Sequence, residues 1–253
     1  MQKPILAFLL GVLIASAAAY LATRAALYAG LDAEQTQRIE DITRDYILEN
    51  PEVLVQAVRV LRDRRRLADQ TRNRATLAAK RDELVADPAA PVGGNPDGNV
   101  TIVEFFDYNC PYCKAVYPRI ARLLAEDDQI RLVYKEWPIL GPVSELAAKV
   151  ALAIWKRDPG RYEAFHAALL SAKGRLTRDA VFAAAQGLGF DVAQLKSEMQ
   201  SPDIASDLAR NKALAGSLGI TGTPAFVVGD KLVPGAASLA QMKALVKRAR
   251  NGG

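Results

Sequence analysis

The residues of this chain best suited to chemistry are Cys110 and Cys113, its only two cysteines. Pro111 and Tyr112 separate them. An apolar run, 100–106, comes shortly before this motif, and a stretch of helical character follows it. A strand that delivers a Cys-x-x-Cys motif to the start of a helix is typical of a thiol–disulfide exchange site. The spacing therefore predicts redox chemistry at the two sulfur atoms.

The position of each sulfur along the predicted helix indicates its role. Disulfide exchange requires a thiolate, because the neutral thiol is a poor nucleophile. At the start of a helix, unpaired backbone N–H groups and the positive end of the helix dipole favour a negative charge on Cys110 and lower its pKa. We therefore predict that Cys110 attacks and that Cys113, one turn further along, resolves the mixed disulfide. Pro111 suits the first helical turn, and Tyr112 adds no positive charge.

Other uses of the two cysteines fit the sequence less well. A zinc site usually needs four Cys or His ligands, and His166 is the only histidine that the chain adds. A structural disulfide across so short a loop would constrain the unfolded chain little. We therefore predict no metal site and no cofactor, and we interpret His166 as a structural residue of a predicted helix.

One acidic residue, Glu104, lies inside the apolar run that precedes the cysteines. A buried carboxylate is costly unless it is paired or protonated. Two interpretations stay open at this point. Glu104 could relay a proton to or from Cys113, or it could be the structural partner of Lys135 on the neighbouring strand.

The elements that must position these residues form a split sheet. Strand, helix and strand over 100–137 predict a βαβ unit with a parallel strand pair. The segment 143–218 has helical character throughout, and Gly229–Asp230 predicts a hairpin after it. Thr223–Pro224 stands just before that hairpin, where an X-Pro bond can be cis. The fold class is therefore α/β, with a sheet domain at 99–253 that contains a helical insert.

The first residues predict export from the cytoplasm. Residues 4–23 carry no charge and reach about 20 residues, which is enough to span a bilayer. They also contain small-residue patterns typical of signal-peptide cleavage. Residues 1–24 are thus either a cleaved signal peptide or an anchor in the inner membrane. Both alternatives place the remainder in the periplasm or outside the cell, where disulfides persist.

Residues 31–86 predict a helical region with too few apolar residues for a core of its own. Leu54, Val58 and Leu61 fall on one stripe of the predicted helix. Such a stripe needs a partner, which is either the main domain or a second copy of the chain. The Pro-rich and Gly-rich segment 87–98 is interpreted as a linker without a regular element.

The positive charge of the chain is concentrated in one segment. The formal net charge is +5, and residues 59–81 carry most of the excess. No interleaved aromatic residues support base stacking there, so we predict no nucleic-acid partner. The segment is interpreted as a solvated helix face, or as one attracted to anionic lipid headgroups.

Taken together, three features resemble the DsbA family of thioredoxin-fold oxidoreductases. These are the segment Val103–Cys113, the helical insert and Thr223–Pro224, and the resemblance covers roughly residues 100–250. Within that family, the segments 135–141 and 46–52 resemble ScsC-type proteins.

The resemblance implies a thioredoxin fold with a helical insertion, preceded by an N-terminal helical region. It implies that Cys110 is the nucleophile, Cys113 the resolving thiol and Glu104 a buried acid. It also implies a cis bond between Thr223 and Pro224, beside the active site, whose backbone binds the substrate strand. Substrate contacts are accordingly expected at these two residues and at Pro111 and Tyr112. Strongly oxidising DsbA proteins carry His where this chain carries Tyr.

The function predicted is that of an exported thiol–disulfide oxidoreductase. Its expected partners are cysteine-containing exported proteins, a membrane redox partner and, through the N-terminal helices, other copies of the chain. Two alternatives stay open. An oligomeric disulfide isomerase or reductase would match ScsC-like relatives that assemble through their N-terminal regions. A thiol protein that holds Cu(I) would match the link of ScsC-like proteins to copper tolerance.

Overall fold

The computed structural model describes residues 16, 19–21 and 32–252. The predicted signal peptide or anchor, 1–24, therefore lies outside the described residues except at these few positions. Within the described residues, no helix has the length and apolar character needed to cross a membrane. The chain divides into two compact units, Met1–Arg66 and Leu67–Gly253.

Helices form the described part of the first unit. Helix α1, Ala33–Glu49, begins with a capping box in which the Asp32 carboxylate accepts from the Gln35 N–H and the Gln35 side chain accepts from the Asp32 N–H. No residue of this helix is buried. Asn50 ends it, and helix α2, Glu52–Ala79, follows and continues into the second unit. The N-terminal region is thus helical, as the sequence predicts.

A five-stranded sheet forms the centre of the second unit, in the order β1-β3-β2-β4-β5. The strands are β1 (Val92–Gly94), β2 (Val100–Phe106), β3 (Ile130–Glu136), β4 (Ala225–Val228) and β5 (Lys231–Pro234). Strands β2 and β3 are parallel, and the other neighbouring pairs are antiparallel. The predicted βαβ unit and the hairpin at Gly229–Asp230 are both confirmed.

The expectation that residues 87–98 form a linker without a regular element was wrong. Strand β1 lies within this segment and pairs with β3, with Val92 opposite Val133. The glycine content that argued against a strand is what allows the pairing. A Cβ atom on Gly94, whose φ is +65°, would lie 2.5 Å from the carbonyl oxygen of Ile130. Only glycine tolerates this approach.

The helices of the second unit surround the sheet. Their bounds are α3 (Arg81–Val85), α4 (Pro111–Glu126), α5 (Pro142–Arg157), a 3-10 turn (Pro159–Arg161), α6 (Tyr162–Ser171), α7 (Arg178–Gly187), α8 (Val192–Glu198), α9 (Pro202–Ser217) and α10 (Leu239–Arg250). Helix α4 connects β2 to β3, helices α5 to α9 and the 3-10 turn form the insert, and α10 follows β5. The helical insert that the sequence predicts between the two parts of the sheet is thus confirmed.

Strand β2 is buried on both faces. Successive side chains of a strand point to opposite faces, and the two faces of β2 belong to two separate apolar clusters. Ile102 and Phe106 lie in one cluster, and Val103 and Phe105 lie in the other. Every residue of β2 from Ile102 onward is buried. Glu104 shares this strand, so the fold places a carboxyl group in the apolar interior.

Candidate active site

A tight turn places Cys110 at the N-terminus of helix α4. Its backbone is extended, with φ −73° and ψ 118°, and Pro111 takes the first helical position. The Cys110 N–H donates to the carbonyl oxygen of Asp107 at 3.0 Å. The Asn109 N–H donates to the carboxylate of Asp107 at 2.7 Å, which closes the turn. The sulfur of Cys110 therefore stands where the orphan N–H groups of the helix converge.

The surroundings of the Cys110 sulfur favour its thiolate. The thiol of Cys113 donates to it, and the Thr223 side chain and the backbone N–H groups of Cys113 and Tyr112 add to this stabilisation. Partial burial opposes ionisation, but the pKa of Cys110 still falls from 9.0 to about 5. In the thiol form, Cys110 donates to the carbonyl oxygen of Thr223 at 3.2 Å. The direction of this pKa shift agrees with the prediction, but its largest cause is the thiol of Cys113 rather than the backbone N–H groups on which the prediction rested.

Cys113 experiences the opposite environment. It is fully buried, and both cysteines are free thiols. Burial raises its pKa, and the hydrogen bond to Cys110 and the negative charge of Glu104 raise it further. Neighbouring titratable groups whose pKa values are driven apart mark different roles in a reaction. The geometry thus fits Cys110 as the attacking sulfur and Cys113 as the sulfur that reacts second.

Strand β4 brings Thr223 and Pro224 to the cysteines. The bond between them is cis, as the resemblance implies. Ala225, the next residue, pairs with Phe105 of β2, so the two segments meet beside the strand that leads into the motif. Pro224 is buried, whereas Thr223 is partly accessible.

Glu104 does not pair with Lys135, so this alternative was wrong. In the parallel register, Glu104 lies opposite Tyr134, and Lys135 lies opposite Phe105. The two charged side chains therefore project from opposite faces of the sheet. Lys135 instead donates to the Asp87 carboxylate at 2.6 Å.

Burial gives Glu104 the properties of a proton donor or acceptor. Desolvation raises the pKa of its carboxyl group to about 8, close to neutral pH. Its charge also raises the pKa of Cys113, so the two groups are electrostatically coupled. A carboxyl group that titrates near neutrality beside a buried thiol can exchange a proton with it. This chemistry fits the first interpretation drawn from the sequence, in which Glu104 relays a proton to or from Cys113.

Two polar residues just before the motif, which were not predicted as functional residues, hold it in place. Asp107 accepts from the N–H groups of Ile139 and Leu140 at 2.7 and 3.0 Å. Asn109 accepts from the Leu176 N–H at 2.8 Å. These bonds fasten the turn to the loop after β3 and to the insert. The available signal was the presence of two polar residues directly after a buried strand.

The surroundings of His166 are those of a structural residue. It is buried among aromatic rings, and its Nδ1 atom lies 3.3 Å from the hydroxyl of Tyr108. Desolvation lowers the pKa of His166 to about 3, so its ring is neutral at physiological pH. Among the residues that the structure describes, no group of three or more His, Cys, Asp and Glu side chains is placed to hold a metal ion.

Comparison with protein families agrees with this geometry. Residues 101–247, which include both cysteines and the cis bond, match the model of the DSBA-like thioredoxin domain. The chain belongs to the DSBA-like thioredoxin family. Residues 35–68 match a second model, the N-terminal domain of the copper resistance protein ScsC. The DSBA-like domain of this chain is thus preceded by a ScsC-type helical region.

Individual relatives extend the comparison. A thioredoxin-like oxidoreductase from Silicibacter pomeroyi is 47% identical, with a TM-score of 0.66 over 68% of this chain and 99% of that one. Proteus mirabilis ScsC in a transitional conformation is 32% identical, with a TM-score of 0.65 over 89% of this chain and 99% of that one. Disulfide bond formation protein D of Bacillus subtilis is 27% identical over 64% of this chain and 78% of that protein. This DSBA-like chain is therefore a thiol–disulfide oxidoreductase.

The exposed part of this DSBA-like site lies at the start of α4. Tyr112 is 67% exposed, and Pro111 is exposed beside it. Cys110 itself is only 4% exposed. A partner that reaches this sulfur must therefore contact the residues around it.

Proposed function

We propose that the chain exchanges disulfides with cysteine-containing exported proteins through the motif that starts at Cys110. The observation that carries the proposal is the opposite displacement of the pKa values of Cys110 and Cys113 at one helix N-terminus. A sulfur with a pKa of about 5 is a thiolate at neutral pH, and the thiolate is the species that attacks disulfides. Its buried neighbour stays protonated until the second step.

The reductive direction proceeds in two displacements. The Cys110 thiolate attacks one sulfur of the client disulfide, and the other client sulfur leaves as a thiolate. Cys113 then loses its proton and attacks the Cys110 sulfur, which releases the second client thiolate and forms the Cys110–Cys113 disulfide. Oxidation of a client dithiol is the reverse sequence. In both directions two electrons pass between the client and the cysteine pair.

Glu104 is proposed to exchange the proton of Cys113. In the reductive direction, the Glu104 carboxylate accepts this proton as the thiol becomes the attacking group. In the oxidising direction, the carboxylic acid returns it to the departing thiolate. A pKa of about 8 allows Glu104 to take either form near neutral pH.

The acidity of Cys110 supports net oxidation as the preferred direction. A low pKa stabilises the reduced pair and so makes the disulfide a stronger oxidant. Reference values are about 7 for thioredoxin and about 3.5 for DsbA, and the pKa of Cys110, about 5, lies between them. Tyr112 contributes no positive charge of the kind that would lower it further.

The proposed place of action is the periplasm or another exported compartment. The uncharged stretch 4–23 supports this proposal, because both a cleaved signal and a retained anchor export the remainder. An oxidising compartment would supply client disulfides and a membrane redox partner that resets the cysteine pair.

Two cysteine variants test the proposed exchange. Wild-type protein is expected to catalyse insulin reduction and the refolding of a scrambled disulfide protein, and Cys110→Ala is expected to abolish both. Cys113→Ala should instead accumulate the mixed disulfide with the client, visible by non-reducing electrophoresis. Activity that survives Cys110→Ala would contradict the proposal.

A second candidate is disulfide isomerisation by an oligomer. The observation that favours it is the exposure of large apolar side chains in the first unit, where Leu54, Val58 and Leu61 are each close to half exposed. Association through these residues would assemble several cysteine pairs. Crosslinking of the full chain and of a form without residues 31–66 tests this candidate, because the second unit begins at Leu67. A monomer in both forms would contradict it.

A further inference from the structure

A groove of about 900 Å³ begins beside Cys110. It lies between the start of helix α4 and the segment at the end of helix α6. Its lining is largely apolar, and the main apolar side chains are Pro111, Ala115, Pro118, Leu140 and Leu170. Asn109, the residue just before the nucleophile, also lines it. Both residues that flank the reacting cysteine in the chain, Asn109 and Pro111, therefore line the groove.

One lysine holds the far wall of this groove against the active-site helix. The Lys114 ammonium donates to the carbonyl oxygens of Ala172 and Gly174, at 2.9 and 2.6 Å. Gly174 has a φ of +71°, which allows the chain to turn sharply at this point. An ammonium group has three donors, so one donor of Lys114 remains for a bound molecule.

Two further cations stand at the rim of the groove. Lys173 and Arg175 flank Gly174 and are both exposed, and neither has an ion-pair partner among the described residues. Several other cations of the second unit are paired, as in Arg157 with Glu198 at 2.7 Å. Among the described residues that line the groove, none is acidic. The groove therefore combines an apolar floor with a positive rim whose charge is uncompensated.

We propose that this groove binds an acidic, apolar segment of the client polypeptide next to its reacting cysteine. The proposal rests on the disulfide exchange proposed above. A client bound through a mixed disulfide at Cys110 needs only a residue or two, at about 3.5 Å each, to enter the groove. Apolar client side chains would cover Leu140 and Leu170, and client carboxylates would meet Lys173 and Arg175.

The groove would supply a selectivity that backbone contacts lack. Main-chain contacts at Thr223 accept any sequence, whereas pockets for side chains distinguish one sequence from another. None of the residues around the cis bond lines this groove. The backbone at Thr223 would therefore contribute affinity for any extended client. The groove would contribute the preference for one client sequence over another.

The test uses two peptides that differ only in charge. Each carries one cysteine as its mixed disulfide with glutathione, flanked by leucines, with two aspartates in one peptide and two lysines in the other. Reduced full-length protein in excess supplies both electrons, and the rate of peptide-thiol release is measured. We expect the aspartate peptide to react about tenfold faster at low salt and the preference to shrink at high salt.

Charge variants assign that preference to the rim. Lys173→Glu/Arg175→Glu should make the lysine peptide the faster substrate, and Lys173→Gln/Arg175→Gln should bring the ratio of the two rates close to one. Lys247→Glu/Arg248→Glu changes the net charge equally on α10, away from the groove, and should retain the wild-type preference. A wild-type protein without preference, or an equal change in the two glutamate variants, would overturn the proposal.

Reaction with oxidised glutathione separates this proposal from the one on which it rests. Wild-type protein that neither reduces oxidised glutathione nor, once oxidised, accepts electrons from reduced glutathione lacks the proposed thiol exchange altogether. Wild-type protein that reduces it readily, yet treats both peptides alike, has an active cysteine pair and no acidic-segment subsite. Only the groove proposal is then wrong.

Discussion

The same side chain meets opposite environments in the two units of this chain. Ile42 in the first unit is 63% exposed, whereas Ile102 in the second is fully buried. The contrast extends to the whole of each unit. Helix α1 buries none of its residues, while strand β2 is enclosed by apolar clusters on both faces. The second unit has a core of its own, and the described part of the first does not.

The difference shows how chemistry and assembly can be separated within one chain. The two cysteines, Glu104 and the cis bond all belong to the second unit, where burial raises the pKa of Glu104 and hydrogen bonds lower the pKa of Cys110. The first unit contributes exposed apolar surface, which commonly marks a binding face. We infer that the second unit carries out the reaction. The first unit would determine with which partner, such as another copy of the chain, the second unit is associated.

The largest expected effect is that of pH on Cys110 in the second unit. Its pKa is lowered from 9.0 to about 5, so the folded reduced protein holds a thiolate where the unfolded chain holds a thiol. The resulting stabilisation is complete above pH 9 and is lost as the pH falls through 5. It amounts to roughly 5 kcal/mol at most, at about 1.4 kcal/mol per pKa unit.

Denaturant unfolding of the reduced protein across this pH range measures the effect. Cys110→Ser is the matched variant, and its stability should lack this pH dependence. The ultraviolet absorbance of the thiolate provides an independent titration, with a midpoint near pH 5. A midpoint near 9.0 would show that neither the Cys113 thiol nor the helix N-terminus activates this sulfur.

The next largest effect has the opposite sign and concerns Glu104. Burial raises its pKa from 4.5 to about 8, so the contribution of Glu104 to stability is greatest below pH 4.5 and is lost as the pH rises through 8. Glu104→Gln should remove this decline and stabilise the protein by about 3 kcal/mol at neutral pH. The matched control is Glu40→Gln on exposed helix α1, which should leave the pH profile of stability as it was.

The same variant separates a proton carrier from a merely buried acid. Glu104→Gln should slow the resolving step of Cys113 and change the pH dependence of its rate, while attack by Cys110 proceeds. Rapid mixing with a client disulfide follows both steps. A resolving step with an unchanged pH profile would exclude the proposed proton exchange.

Substitution of one isoleucine in each unit tests the comparison directly. Ile102→Ala should destabilise the second unit by about 2–5 kcal/mol, because it leaves a cavity in a closely packed core. Ile42→Ala removes the same atoms from an exposed position and should change stability by less than about 0.5 kcal/mol. Thermal unfolding of both variants measures the difference. An equal loss of stability in the two variants would mean that the Ile42 side chain is buried by a contact in solution.

The sequence predicted those elements whose determinants are local. The apolar run of β2, the helical spacing of α4 and the turn at Gly229–Asp230 each depend on neighbouring residues, and all three are confirmed. The position of Cys110 at a helix N-terminus was predictable for the same reason. An N-cap position is defined within a few residues of its helix.

Features that depend on distant residues were not predictable in this way. Strand β1 exists because Gly94 fits against β3, and no local pattern shows that fit. The alternative that paired Lys135 with Glu104 stayed open in the sequence because the parallel register, which decides the facing residues, is a property of the assembled sheet. The contact of Cys110 with Thr223 joins residues 113 positions apart, so its geometry follows only from the pairing of β2 with β4.

The smallest expected change in stability accompanies a large change in assembly. Leu54 lies on α2 and is 53% exposed, so Leu54→Glu should alter the free energy of unfolding by less than about 0.5 kcal/mol. If the first unit mediates association, a charge at this position should still disrupt it, because an unpaired carboxylate would be buried between copies. Sedimentation analysis of the full chain measures the shift toward monomer.

Gln56→Glu provides the matched control, since it introduces the same charge on the same helix in place of a polar side chain. It should leave association unchanged, and neither variant should move the thiolate titration of Cys110. Association that survives Leu54→Glu would mean that this apolar residue is not at an interface. A shifted titration would mean that assembly and chemistry are coupled, and the separation of the two units in function would then fail.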